Sequence, residues 1–282
     1  AMPAYLLAMV YGHLLDVAGP VQAGLREALQ LRVGEYAFPA IRSPFGAIFM
    51  LTLSLYPYVY LTAKQAFAQQ NRHIFEAAWL LGLTPARWFW RIALPAARPA
   101  LALGVALVMM EALADFGVVS LFGVPSFTTG IYRAWYGLGD AQQAAKLALL
   151  MLMLVGALIA LERLSRGRIR AARAGHNKQP LPHLQTSCAR AWYHTVACAA
   201  PVMLGFVLPA GQLFYWAGAN PANLFDALHW QAAGHALLVA ASAATGALLV
   251  ALLFSYRFRA RPPRWQAALL SLPRSAMLSP AQ

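Results

Sequence analysis

Residues 45 to 62, 193 to 217 and 233 to 255 contain no Asp, Glu, Lys or Arg. Each run is close to the ~20 residues that a helix needs to cross ~30 Å of hydrocarbon. Two further candidates carry charge. One is 94 to 119, with Glu111 and Asp115; the other is 144 to 161, where Lys146 sits near enough to an end for its stem to snorkel outward. A sixth run, residues 1 to 15, has no basic region or small-residue cleavage site before it, so it reads as a span and not a signal peptide, and the chain as a fragment. The composition agrees: 60% of the 282 residues are hydrophobic and 11% charged, against about a quarter charged in soluble domains. A water-soluble enzyme is the wrong expectation.

Six spans in alternation place loops 63–92, 162–192 and 256–264 on one side and loops 16–44, 119–143 and 218–232 on the other. The first set holds 15 Lys and Arg, and the second holds 4, namely Arg26, Arg32, Arg42 and Arg133. Positive loops stay in the cytoplasm, so the first set is cytoplasmic. Arg163, Arg166, Arg168, Arg170, Arg173, Lys178 and Arg190 form the densest group. Topology and contact with anionic lipid headgroups account for them, so the net charge of +13 does not call for nucleic acid.

Gly167 to Leu184 is basic, and Pro180 and Pro182 break any helix there, so 166–190 is expected to be a cytoplasmic linker between two membrane units. Cys188 and Cys198 match neither a zinc nor a redox spacing and are expected to be free thiols. The seven histidines form no i, i+3 or i, i+4 pair, so no metal centre is expected. Neither a G-x-S-x-G nor a G-x-x-x-x-G-K-[ST] sequence occurs. No catalytic residue and no bound cofactor are therefore expected, and ATP, if used, is hydrolysed on a separate subunit.

The cytoplasmic stretch 76–95, EAAWLLGLTPARWFWRIALP, is unusually apolar for a loop. Trp79, Leu80, Leu81, Leu83, Trp88, Phe89 and Trp90 must bury a face on the chain's own spans or on another protein. Glu76 to Leu81 favours helix, Gly82 allows positive φ, and Thr84-Pro85 is an N-cap followed by proline at the first helical position. The spacing predicts helix, turn, helix. Trp79 and Trp88 would also suit an aromatic belt at the membrane interface.

Glu76-Ala77-Ala78, Gly82, Ile92 and Leu94-Pro95 have the spacing E-A-A, three residues, G, nine residues, I, one residue, L-P. This resembles the signature of the inner-membrane permeases of binding-protein-dependent ABC importers. The resemblance implies an all-α, polytopic transmembrane bundle of the type I importer fold, in the bacterial inner (plasma) membrane. It implies that stretch 76–95 couples to ABC ATPase subunits, and that a periplasmic substrate-binding protein delivers the cargo. The run from Met110 to Asp140, together with residues 1–22 and 55–61, is similar to iron(III) transport permeases. In that group one polypeptide carries two permease halves. Residues 1–165 would then be a partial first repeat lacking its earliest spans, and 191–282 the start of a second, truncated one. Thiamine, sulfate and polyamine are the alternative cargoes.

Glu111 and Asp115 are four residues apart, so on one helix they share a face. Counted from Leu94 at the inner surface, Glu111 lies ~25 Å across. Each charge inside a span costs ~2.5 to 3.5 kcal/mol, so the pair must face protein, water or a cation. Two readings stand open: a translocation pathway for a hard cation such as Fe(III), or a structural bond, for instance to Arg98, Arg133 or Lys146. In an ion-coupled secondary transporter the same acids would relay protons or a coupling ion, and stretch 76–95 would then have no purpose. On the outer side, Tyr132, Arg133 and Trp135 suit either a docked binding protein or an interfacial anchor.

Overall fold

A computed structural model describes residues 2–32, 34–70, 76, 78–166, 188–219 and 227–260, and among these residues there is no strand. Six helical stretches among the described residues are long and apolar enough to cross a membrane: Ala4–Leu29, Pro44–Ala68, Ala86–Ala114, Ala141–Glu162, Ala191–Ala219 and Leu228–Tyr256. The expected six spans are all present, with shifted limits. The packing divides into two units, Ala1–Tyr215 and Trp216–Gln282.

The first unit begins with short helices. Helix α1 (Ala4–Leu15) ends at a bend and is followed by α2 (Pro20–Leu29), which begins on a proline as a first turn permits. Buried Gln22 donates to the Leu15 carbonyl at 2.8 Å and accepts from the Tyr36 hydroxyl at 2.7 Å, tying the segment after α2 back to the end of α1. Arg42 pairs with Asp16 at 2.9 Å across the same bend, with both groups exposed.

Helix α3 (Pro44–Ala68) is capped by the Ser43 hydroxyl, which accepts from the Gly46 amide at 3.2 Å. It runs six residues past the expected limit at 62. Leu61 to Ala68 contains no glycine or proline, and the polar side chains here do not oppose helix. Past the signature turn come α4 (Pro85–Trp88), a π-helical turn (Phe89–Ala93) and α5 (Leu94–Ala114), one continuous helical path. The expected 30-residue loop 63–92 is thus cut at both ends. The expected span 94–119 is also corrected: it stops at Ala114, because Asp115 turns to extended backbone (φ −65°, ψ 131°) before α6 (Gly117–Leu121). Helix α7 (Phe127–Tyr132) opens on a reciprocal cap between Ser126 and Thr129 and passes through a second π turn (Arg133–Gly137) toward α8 (Ala141–Arg166).

The core lies between α1, α3 and α6, where Leu7, Ala8, Tyr11, Ala47, Met50, Leu53, Val118 and Phe122 are buried together. Helices α3 and α5 make the most extensive crossing of the unit. The two helices approach closely at Gly104, where an added Cβ would collide with the Thr62 hydroxyl and approach the Val59 Cα to 3.1 Å. A small residue is required there to let the two backbones meet. Helix α9 (Cys188–Val202), a third π turn (Met203–Val207) and α10 (Leu208–Ala219) form the fifth span. Cys198 is a free, exposed thiol, as expected. Most of the expected linker 166–190, residues 167–187, lies outside the described residues.

In the second unit, α11 (Ala227–Ala260) presents Leu237, Leu238, Val239, Leu248, Leu249 and Leu252 at its surface. Single helices so apolar on every side are stable where lipid replaces water, since the backbone bonds are all internal.

Replacing Gly104 by alanine is expected to destabilise the protein by ~1–3 kcal/mol through overpacking. The Thr62→Ala change in the same chain should recover part of the loss, because the hydroxyl is removed while the Val59 backbone stays. Thermal unfolding in detergent, read for the two single variants and the double one, checks this.

Candidate functional site

The signature residues form a compact turn at one end of α5. Residues from Glu76 to Leu80 are helical where described; Ala77 lies outside the described residues. The Leu83 amide donates to the Ala78 carbonyl at 3.0 Å and the Gly82 amide to the Trp79 carbonyl at 2.9 Å. These two bonds, with Gly82 at φ 72°, make the left-handed helix stop that glycine favours. The second helix then starts: the Trp88 amide donates to the Thr84 carbonyl at 2.9 Å, and the Arg87 amide approaches the Thr84 hydroxyl at 3.5 Å. Helix, turn, helix is thus the observed arrangement.

Ala78 is buried, whereas Trp79, Leu80 and Leu81 are 56%, 89% and 81% exposed. The turn therefore projects an apolar tip, flanked by the exposed cations Arg87 and Arg91. Among the described residues, no span covers it.

The end of the signature explains its proline. Pro95 has no N–H and would clash with the carbonyl one turn back in a regular helix. The chain widens instead: the Leu94 amide donates to the Phe89 carbonyl, five residues earlier, closing the π turn. Gln70, just beyond α3, donates from Nε2 to the Ala93 carbonyl at 2.8 Å, and Phe67 stacks on Phe89 with ring centroids 5.8 Å apart. The helix that follows the turn is thereby fastened to α3 and runs from Pro85 without interruption into α5. Ile92 is half-buried in that turn, with Leu94 and Pro95 half-buried beyond it.

At the opposite end of α5 is a cavity of about 490 Å³. Glu111, Asp115, Tyr5, Tyr58, Ser54 and Phe116 are among its lining residues, and among the described residues the lining contains no Lys, Arg or His. The two carboxylates meet in one cavity although they do not share a helix face, because the helix ends between them. Asp115 also holds the local fold together. Its Oδ2 accepts from the Val118 amide at 3.0 Å and the Val119 amide at 3.3 Å, capping α6, and its carbonyl accepts from the Thr128 hydroxyl at 2.7 Å. Neither acid pairs with Arg98, Arg133 or Lys146 among the described residues. Sequence reasoning missed Tyr5, Ser54 and Tyr58, whose only signal was a polar group at the turn-spaced positions of apolar helices. Phe116, Tyr132 and Tyr136 form a ladder of rings with successive centroids 4.8 Å apart, leading from the cavity to exposed surface. No group of three or more His, Cys, Asp or Glu able to hold a metal occurs among the described residues.

These features define a multi-pass helical membrane protein with an apolar knob at one end of a helix and an acidic cavity at the other. Residues 1–163 match the family described as binding-protein-dependent transport system inner membrane component, and the chain belongs to that family of ABC importer permeases of the inner membrane. It is 31% identical over 91 residues to the Fe(3+)-transport system permease protein FbpB 2 of Haemophilus influenzae, 32% of this chain and 18% of that one. It is 36% identical over 73 residues to the probable sulfate transport system permease protein cysT of Chlorokybus atmophyticus, covering 26% and 25% of the two chains. A third relative is the putative 2-aminoethylphosphonate transport system permease protein PhnU of Salmonella paratyphi A, 27% identical over 183 residues, 64% of this chain and 61% of the other. The matched stretches span less than two thirds of each relative's length.

Asp115→Ala should cost ~1–2 kcal/mol of stability through the lost cap, whereas Asp115→Asn, which can still accept the two amide bonds, should unfold near the parent. Equal melting temperatures for the alanine and parent proteins in detergent would show that the cap contributes nothing.

Proposed function

We propose that this chain forms part of the membrane pathway of an ATP-driven importer that moves ferric iron delivered by a periplasmic binding protein, with ATP hydrolysed on separate ABC ATPase subunits gripping the turn at 76–95. The observation that carries this reading is the helical path from Pro85 to Ala114, which joins the Gly82 turn, with its exposed tip at Trp79, Leu80 and Leu81, to the cavity holding Glu111 and Asp115. Along α5, 21 residues or ~31 Å long, a push at one end displaces the other. Glu76, Ala77, Ala78, Gly82, Ile92, Leu94 and Pro95 would then shape the handle, and membership of a binding-protein-dependent family supports the two kinds of partner. That membership also speaks against an ion-coupled secondary transporter.

Electrostatics favours a cationic cargo. A cavity lined, among the described residues, by two carboxylates and no basic side chain repels an oxoanion such as sulfate, and hard oxygen donors suit Fe(III). The rings of Tyr5, Tyr58 and Phe116 beside the acids favour a second reading, an organic cation such as thiamine or a polyamine held against aromatic faces. The two halves proposed for the polypeptide, 1–165 and 191–282, belong to the same reading.

Two measurements on the full-length transporter test it. ATPase subunits should co-purify with the parent, and Gly82→Ile should release them, because a β-branched residue does not adopt φ 72°; undiminished retention would remove the coupling role. ATP-driven uptake of ferric iron into vesicles should fall at least tenfold in the Glu111→Gln, Asp115→Asn double variant, with thiamine and spermidine uptake as the comparison arms. Unchanged transport of all three cations would remove these acids from the pathway.

A further inference from the structure

Two helices that cross within the first unit each contain a proline that takes away a backbone donor, and the affected carbonyls lie at the same crossing. In α3, Pro57 has no N–H for the Leu53 carbonyl four residues before it. In the fifth span the Leu208 amide donates to the Met203 carbonyl, closing the π turn, and Pro209 has no N–H. The Leu204 carbonyl is therefore denied both its four-residue and its five-residue partner. In hydrocarbon no water replaces them.

The tertiary structure supplies the donor. The Tyr11 hydroxyl of α1, buried to 5% exposure, donates to the Leu204 carbonyl at 2.7 Å. One residue on, Gly205 is buried against α3: a Cβ there would come within 3.0 Å of the Leu53 carbonyl oxygen. The π turn thus bears on both α1 and α3 at the points where their shapes and polar groups accept it.

We propose that Tyr11 and Gly205 form a docking joint, with the surface of the α1–α3 pair built to receive the π-turned Leu208-Pro209 segment of this same chain and to set its register. A slip of one residue in either direction would press a side chain, Leu204 or Phe206, on the Leu53 backbone, and a slip toward Met203 would also offer Tyr11 a carbonyl already bonded to the Leu208 amide. Only one alignment satisfies both. Because α1 and α3 also wall the acidic cavity, through Tyr5, Ser54 and Tyr58, the joint ties that wall to a span outside the family-matched residues 1–163. It depends on neither the cargo nor the ATPase.

The test uses the full chain with a protease site inserted between Arg166 and Cys188, purified in detergent, cut, and analysed by size exclusion. The cut halves of the parent should remain together. Tyr11→Phe, which keeps the ring and loses the hydroxyl, should weaken their association about 5-fold, and Gly205→Val should separate them; Tyr215→Phe, at an exposed position, should behave as the parent. Halves of Tyr11→Phe that hold together as tightly as the parent would overturn the joint. A thermal double-mutant cycle of Tyr11→Phe with Gly205→Ala in the uncut chain gives an independent reading: coupled effects support a shared contact, and additive effects refute it.

Discussion

A helix in hydrocarbon has no water for its backbone, so each proline within a span forces a decision about the carbonyl it leaves without a donor. This chain answers in different ways at different depths. At Leu94-Pro95 the helix widens into a π turn, which leaves the Trp90 carbonyl without a helical donor in a residue that is itself 67% exposed. At Leu208-Pro209 the same widening occurs among packed helices, and Tyr11 donates instead. The shape of the first unit follows from these solutions, since they determine which helices stay continuous and which must touch.

Continuity matters most in α5. Were Pro95 to break the helix, the Gly82 turn would hang from a hinge; with the π turn, and with Gln70 and Phe67 holding its flank, the helix from Pro85 continues into a membrane-crossing rod and ends at the turn that bears Trp79–Leu81. The rod stops at Ala114, where Asp115 leaves helical geometry and caps α6. That interruption opens the cavity. One carboxylate thereby builds the wall while the other, Glu111, stands in it with no basic side chain in the lining among the described residues. Structural and transport readings of the pair, alternatives when only spacing is considered, are compatible once the helix is seen to end between them.

Much of the architecture was legible in the chain. The six apolar runs appear as six helical stretches, and the Gly82 turn between two helices follows from glycine, threonine and proline chemistry that is local to the turn. The limits of the elements were not legible. Leu61 to Ala68 is polar enough to read as loop, yet it remains helical because nothing in it opposes helix. Residues 94–119 read as one apolar span because hydropathy does not register the turn that Asp115 makes when it finds the Val118 and Val119 amides. The cavity's Tyr5, Ser54 and Tyr58 come from two helices that pack through the contacts of α1 and α3, information absent from any one window of residues.

The residues alone determined the class of protein: long uncharged runs dictate helices in a bilayer, the imbalance of basic loops favours one orientation of them, and the E-A-A…G…I-x-L-P spacing marks an importer permease. All three depend on properties carried by each segment separately, namely transfer to hydrocarbon, interaction with the membrane surface and local turn conformation. Only the tertiary structure decided that Glu111 and Asp115 share a cavity from opposite sides of a helix end, and that the Leu204 carbonyl meets Tyr11, 193 positions away. Those outcomes depend on which backbone groups remain unsatisfied after each helix has formed, and a group left over in one segment can be satisfied only by whatever segment packs beside it.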